Sequence, residues 1–240
     1  MRKRREGNEY RVDSPPPPPP PSPHHPNHPA PLRPAQQLSA SEVDIGRVKK
    51  IVLASVVDAP SEDDAAYIWE HRNELVGEPW ALPAVIKSTN WDDRQAVEEM
   101  HRLLLVWKAP SPLQALQLLA ADFADPKVRA FAVAQLEHMS DERLEIYLLQ
   151  LCQVLKYEMF HDSALARFLL RRAVMNTERI GHALFWYLRA ELHQPGVAKR
   201  FGILIQCYMR NCGSAARRNL GQQLFLMREL QAVSRFWICP

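Results

Sequence analysis

The feature that most constrains the fold is a helix-start signal that recurs about every 17 residues from residue 61 onward. Ser111-Pro112 and Asp125-Pro126 each place a side chain that can accept backbone N–H groups directly before a proline, which is typical of a first helical turn. Behind these signals the apolar residues follow a helical period. In the segment that starts at Thr177 they are Ile180, Ala183, Leu184, Tyr187, Leu188 and Leu192. We therefore expect helices to begin near residues 92, 112, 126, 141, 163, 178, 197 and 214.

Two such helices occupy about 35 residues, the period of HEAT and armadillo hairpin repeats. The run from Asp125 to Arg129 fits these repeats, in which an Asp near a helix start and an Arg shortly after it tie adjacent hairpins together. Asn90 and Asp162 are expected to cap two of the helices. Alternating strand patterns are absent from this part of the sequence. We predict an all-α fold, a right-handed helical-hairpin solenoid over residues 61–235.

The proline distribution separates an N-terminal tail from this body. Of 20 prolines, twelve lie between Pro15 and Pro34, and too few apolar residues accompany them to form a core. We predict a disordered tail over residues 1–41, and its spacing Pro23/Pro26/Pro29 suits a Src-homology 3 type domain. Residues 42–60 are a linker whose β-branched residues fit either a short strand or a packed segment.

The sequence indicates no catalytic chemistry. It contains neither a GxGxxG nor a GxxxxGK[ST] loop for phosphate, and its four cysteines lack zinc spacing. We therefore predict no cofactor, no metal and no catalytic residue, and interpret His182 as a packed or rim histidine. A net charge of +3 is too small for a nucleic-acid binder, and no apolar run is long enough for membrane insertion. A cytoplasmic protein is expected.

Several runs resemble the helical (accessory) domain of class I phosphoinositide 3-kinase catalytic subunits. The resemblance extends over about residues 61–230. It is carried by Ile68 to Arg72, Asp125 to Val133, Gln153 to Glu158, Arg179 to His182 and Leu184 to Arg189.

The resemblance implies a non-catalytic helical scaffold from a lipid kinase of phosphatidylinositol-mediated signalling, recruited to the plasma membrane with its parent enzyme. The family's Asp-Arg-His and Asp-Phe-Gly motifs, which phosphoryl transfer requires, are absent from this sequence. The implied partners are the kinase, C2 and Ras-binding domains of a parent enzyme. In members with a regulatory subunit, the acidic start of the first helix contacts a Src-homology 2 domain. The corresponding residues here are Glu62, Asp63 and Asp64, for which complementation of the helix dipole is the alternative role.

Three interpretations of the whole chain remain open at this point. The first, which we favour, is a fragment of a lipid kinase. The second is a stand-alone helical-repeat scaffold that binds other proteins. The third is a kinase-related protein that has lost its catalytic domain and is kept for signalling.

Overall fold

The computed structural model of the protein describes residues 44–54 and 60–238, with side chains as far as Ser234. Within these ranges the regular elements are helices, so the all-α prediction is confirmed. The predicted disordered tail lies outside the described residues. The α-helices are α1 (Ile45–Ala54), α2 (Glu62–Glu70), α3 (Leu82–Lys87), α4 (Arg94–Val106), α5 (Pro112–Gln117), α6 (Pro126–Leu136), α7 (Asp141–Val154), α8 (Ala164–Met175), α9 (His182–Ala190), α10 (Pro195–Asn211) and α11 (Gly213–Ile238).

Short 3₁₀ turns and one π turn join some of these helices. The 3₁₀ turns are Glu74–Gly77, Pro79–Ala81 and Leu155–Tyr157. Thr177–Gly181 is a π turn that leads directly into α9, and the N–H of Gly181 donates to the carbonyl of Asn176 at 2.8 Å. The expected start at Thr177 is therefore present, but the regular α-helix begins five residues later.

The helices stack as hairpins in two layers. In one layer α4 packs on α6, α6 on α8 and α8 on α10, while in the other α7 packs on α9. The hairpin partners also touch, as α5 does with α6 and α10 with α9 and α11. A single apolar core runs between the layers, and its largest fully buried side chains include Phe168, Phe185, Phe201 and Tyr208.

The helix starts are encoded locally, as the sequence predicts. Ser111 forms a reciprocal capping box with Gln114, and the Asp125 carboxylate accepts the N–H groups of Lys127 and Val128 at 2.9 Å. Two of the expected caps are wrong. Asp93 caps α4, because the Asn90 side chain is used in a turn with the N–H of Asp92.

The second wrong cap belongs to α8, where Ser163 caps the helix. Asp162 instead forms an ion pair with Arg167. In both cases the actual cap lies one to three residues after the expected one, and the helix itself is where the spacing predicts it.

Residues 42–60, for which the sequence allows either a short strand or a packed segment, contain helix α1. α1 packs on α3 and on the turn Pro79–Ala81, burying Val48 completely. The N–H of Asp44 donates to the hydroxyl of Tyr67 in α2 at 3.0 Å. β-Branched residues thus serve here as the apolar face of a short amphipathic helix.

Candidate interaction surfaces

The acidic residues predicted as a partner contact occupy the first turn of α2. Ser61 caps this helix, and its hydroxyl accepts the N–H of Asp64 at 3.3 Å. Glu62 and Asp63 are exposed, whereas Asp64 is partly buried. Three carboxylates at a helix N-terminus also complement the positive end of the helix dipole.

Asp64 is held by neighbouring residues. One carboxylate oxygen accepts from the Ser61 hydroxyl at 2.9 Å, and the other lies 3.4 Å from the guanidinium of Arg47 in α1. The Arg47 guanidinium also stacks 4.0 Å from the ring centre of Tyr67. Glu62 and Asp63 are therefore the members of the predicted set that present accessible negative charge.

A buried ion pair joins α6 to the end of the next hairpin. Arg129 and Glu158 leave only 4% and 6% of their side chains exposed, and an Arg129 Nη–Glu158 Oε distance is 2.8 Å. The same guanidinium donates to the carbonyls of Leu119, Ala120 and Phe123, which follow α5. Arg129 thus satisfies the carbonyls of one hairpin and a carboxylate of the next, as the Asp125–Arg129 pattern predicts.

A second arginine binds the backbone of the same segment. Arg200 in α10 donates to the carbonyls of Leu155, Lys156 and Glu158. Glu158 therefore accepts from Arg129 with its side chain and from Arg200 with its backbone. The segment Leu155–Glu158 is clamped between two helices that belong to different hairpins.

α7 and α8 are tied in a similar way. The Asp141 carboxylate accepts from the Asn176 amide at 2.9 Å and from Arg172, which also donates to the carbonyl of Met139. The Asn176 hydrogen bond and then that of Arg172 hold the pKa of Asp141 below its ordinary value. The pKa of Glu191 is lowered likewise, by Gln153 and then Lys156.

The remaining perturbed groups have packing roles. Burial, followed by the nearby Glu191 charge, raises the pKa of the Cys152 thiol to about 12, which keeps it protonated and unreactive. Burial raises the pKa of Tyr208 to about 12. His182 shares Gln223 of α11 with the indole of Trp186, as expected of a packed or rim histidine. Across residues 44–54 and 60–238, no three His, Cys, Asp or Glu residues converge as metal ligands.

One surface was not predicted from the sequence. Trp91, which follows α3, and Met159, which follows α7, line the same cavity although they are 68 residues apart in the chain. Trp91 is 40% exposed, Met159 62% and its neighbour Phe160 61%. The available signal was three large apolar or aromatic residues, Tyr157, Met159 and Phe160, around Glu158, but nothing in the sequence indicates that Met159 shares a cavity with Trp91.

No helix in the described part of the chain is both long and apolar enough to cross a membrane. The longest, α11, shows a different pattern, since Phe225, Leu226 and Leu230 are more than half exposed. These residues lie beyond Leu220, the last buried side chain among the residues of α11 whose side chains are described.

Comparison with known proteins gives a consistent set of similarities. Residues 36–221 match the family described as the phosphoinositide 3-kinase family, accessory domain (PIK domain). The chain is 44% identical over 168 residues to phosphatidylinositol 3-kinase 1 of Dictyostelium discoideum, covering 70% of the chain and 11% of that relative. With phosphatidylinositol 3-kinase 2 of the same organism it shares 37% identity over 188 residues, or 78% of the chain and 10% of that relative. The chain thus spans about a tenth of the length of these relatives.

Proposed function

Since the chain belongs to the phosphoinositide 3-kinase accessory-domain family, we propose that it is the non-catalytic helical scaffold of a phosphatidylinositol 3-kinase. In this role it positions the other parts of that enzyme and does not touch the lipid or the nucleotide. It acts in phosphatidylinositol-mediated signalling, in the cytoplasm and at the plasma membrane when the parent enzyme is recruited there. The chain alone has no lipid kinase activity.

The observation that carries this proposal is the set of buried and partly buried arginine contacts between successive helices and hairpins. Arg129 and Arg200 each bind acceptors on a neighbouring hairpin, and Arg172 joins α8 to α7, so the hairpins cannot slide past one another without leaving polar groups unpaired. A scaffold needs this rigidity because its partners are positioned only as accurately as the surface that holds them. The kinase, C2 and Ras-binding domains of the parent enzyme are the proposed partners.

The experiment is a replacement in a relative. The segment of Dictyostelium discoideum phosphatidylinositol 3-kinase 1 that matches this chain would be exchanged for the matching residues of this chain, and lipid kinase activity measured. We expect the chimera to retain activity comparable to the parent and to lose most of it when Arg129 is changed to Met. A stable, well-folded chimera without activity would contradict the scaffold role.

A second contact is proposed for the acidic start of α2. Glu62 and Asp63 present exposed charge, and a basic surface of a regulatory subunit, such as a Src-homology 2 domain, is the proposed partner. Reversal of Glu62, Asp63 and Asp64 to Lys should abolish binding of the regulatory subunit measured by calorimetry. Unchanged binding would contradict this contact, and complementation of the α2 helix dipole would be the remaining role of the three carboxylates. We also propose the proline-rich tail as a ligand for a Src-homology 3 type domain.

The alternative is a stand-alone helical-repeat scaffold that binds other proteins. The exposed aromatic and methionine side chains around the Trp91 cavity favour it, because such patches on a single chain mark binding sites. Expression of the 240-residue chain by itself distinguishes the two roles. A monodisperse, stable protein supports the alternative, whereas aggregation that a co-expressed kinase domain relieves supports the enzyme scaffold.

A further inference from the structure

A cavity of about 640 Å³ opens between the end of α3, the turn before α4 and the turn before α6. Ile86, Phe123 and Val128 line it with buried apolar side chains. Trp91 and Met159 also line it, yet remain 40% and 62% exposed. A concave apolar site of this volume suits a large side chain supplied by another molecule.

The two exposed side chains stand on backbone that is already fixed. The indole N–H of Trp91 donates to the carbonyl of Ile86 at 3.2 Å. Met159 directly follows Glu158, which Arg129 binds at its carboxylate and Arg200 at its backbone carbonyl. A surface held in place before binding loses little conformational entropy when a partner docks, so even a small contact area can be productive.

The charges around the cavity are mainly negative. Asp92 and Asp93 are exposed beside Trp91, and Asp122, which is 66% exposed, lines the cavity and pairs with Lys87 at 3.5 Å. Arg94, also exposed, follows Asp93, so the cavity and its rim carry four carboxylates and three cationic groups, a local charge of three minus four, or −1, on a chain whose formal charge is +3. The charged residues counted are Lys87, Asp92, Asp93, Arg94, Asp122, Asp125 and Lys127.

We propose that this surface, the Trp91–Met159 groove, docks a cationic segment of a partner protein. One aromatic or aliphatic side chain of that segment fills the cavity, and Lys or Arg residues beside it face the aspartates. Phe160, 61% exposed next to Met159, extends the apolar contact. Buried apolar anchors supply most of the affinity of such contacts, while complementary charge selects the partner and speeds its approach. The inference does not depend on the chain acting inside a lipid kinase.

The test uses random peptides of about twelve residues displayed on phage and selected on the immobilised full chain. We expect enrichment of peptides with Phe, Trp or Leu next to Lys or Arg. Selected peptides, labelled with fluorescein, should lose at least about tenfold in affinity by anisotropy when Met159 is changed to Ser. Met175→Ser is the matched control, since Met175 is equally accessible at the end of α8 with 77% of its surface exposed. It should leave affinity unchanged.

Charge is tested with a second pair of variants. Asp92→Lys should weaken binding and reduce its salt dependence, whereas Glu70→Lys, at the exposed end of α2, should not. Circular dichroism melts confirm that each variant folds, and Trp91→Leu replaces any that does not. Selection of acidic peptides would overturn the proposal. So would peptides whose affinity for Met159→Ser equals their affinity for the unchanged chain. So would dimerisation in sedimentation that Met159→Ser abolishes, because the occupant would then be a second copy.

Discussion

At the scale of single residues, Gly181 and Arg129 show why the identity of a side chain matters more than its hydrophobicity. Gly181 ends the π turn against α10, and a Cβ there would lie 2.2 Å from the Tyr208 hydroxyl oxygen and 2.6 Å from the carbonyl of Ala173. Gly202 lies inside α10 with nothing within 4 Å of the same position. Of these two helical glycines, only Gly181 is required by a close approach of neighbouring atoms.

Gly181→Ala should therefore destabilise the protein by about 1–3 kcal/mol, because a backbone carbonyl and a buried ring must move. Gly202→Ala should be neutral or stabilising by up to about 1 kcal/mol, because alanine favours the helix. Urea unfolding monitored by circular dichroism measures both. Equal effects of the two variants would contradict the close approach at Gly181. Tyr208→Phe, which removes the nearest oxygen, should recover part of the loss.

The second position is Arg129, whose guanidinium is buried with Glu158 and three carbonyls. Arg129→Met should cost about 3 kcal/mol or more, since it leaves a buried carboxylate without a partner. The double change Arg129→Met with Glu158→Met should be less costly than the single one. Chemical denaturation of all four proteins completes the cycle, and a double variant as unstable as the sum of its singles would show that the pair does not interact.

At the scale of elements, helix ends are fastened to their neighbours by polar side chains, while helix faces are joined by apolar ones. Asp141 begins α7 and binds Asn176 and Arg172 at the end of α8. It therefore connects the start of one helix to the end of the next across a hairpin. α11 contrasts with this, because its side chains from Phe225 to Ser234 are exposed.

The Asp141 contacts predict a particular dependence on pH. Its folded pKa is lowered, so the stability that it provides is complete above the unfolded value of about 3.9 and is lost as the pH falls through the lower folded value. Asp141→Asn should lower the melting temperature at pH 7 and flatten its decline between about pH 5 and pH 2. Glu70→Gln serves as the control. Parallel melting curves for Asp141→Asn and the unchanged protein at all pH values would refute this role.

At the scale of the whole molecule, stability depends on contacts between successive hairpins. Arg200→Met should remove the donors to Leu155, Lys156 and Glu158, so amides of α10 should exchange about tenfold faster with deuterium while those of α4 do not change. Arg189→Met, at an exposed position of α9, provides the comparison. Hydrogen exchange followed by mass spectrometry resolves these segments. A uniform rise throughout the chain would indicate global rather than local opening.

The sequence predicts the repeat well because its signals act over three or four residues. The caps formed by Ser111 and Asp125 can be predicted from the residues that directly follow them. The helical period can be predicted from apolar residues three and four positions apart. Arg129 could be predicted as a tie between hairpins, but its partner Glu158 could not, since that pair depends on the packing of α6 against later elements. The placement of Trp91 and Met159 at one cavity could not be predicted for the same reason. The acidic start of α2 lies where the sequence puts it, and its partner remains a prediction.

The order in which arginine donors and their acceptors follow one another in the chain has a consequence for folding during synthesis. Arg171, Arg172, Arg179 and Arg200 each bind acceptors 31 to 45 residues earlier in the chain. During synthesis the acceptors therefore leave the ribosome first and are already outside when each arginine emerges. We expect force-sensitive arrest of nascent chains to show a step as each of these arginines clears the exit tunnel. For these four contacts synthesis itself therefore sets the order of assembly, whereas Arg129 leaves the ribosome before its partner Glu158 and pairs only when that residue follows.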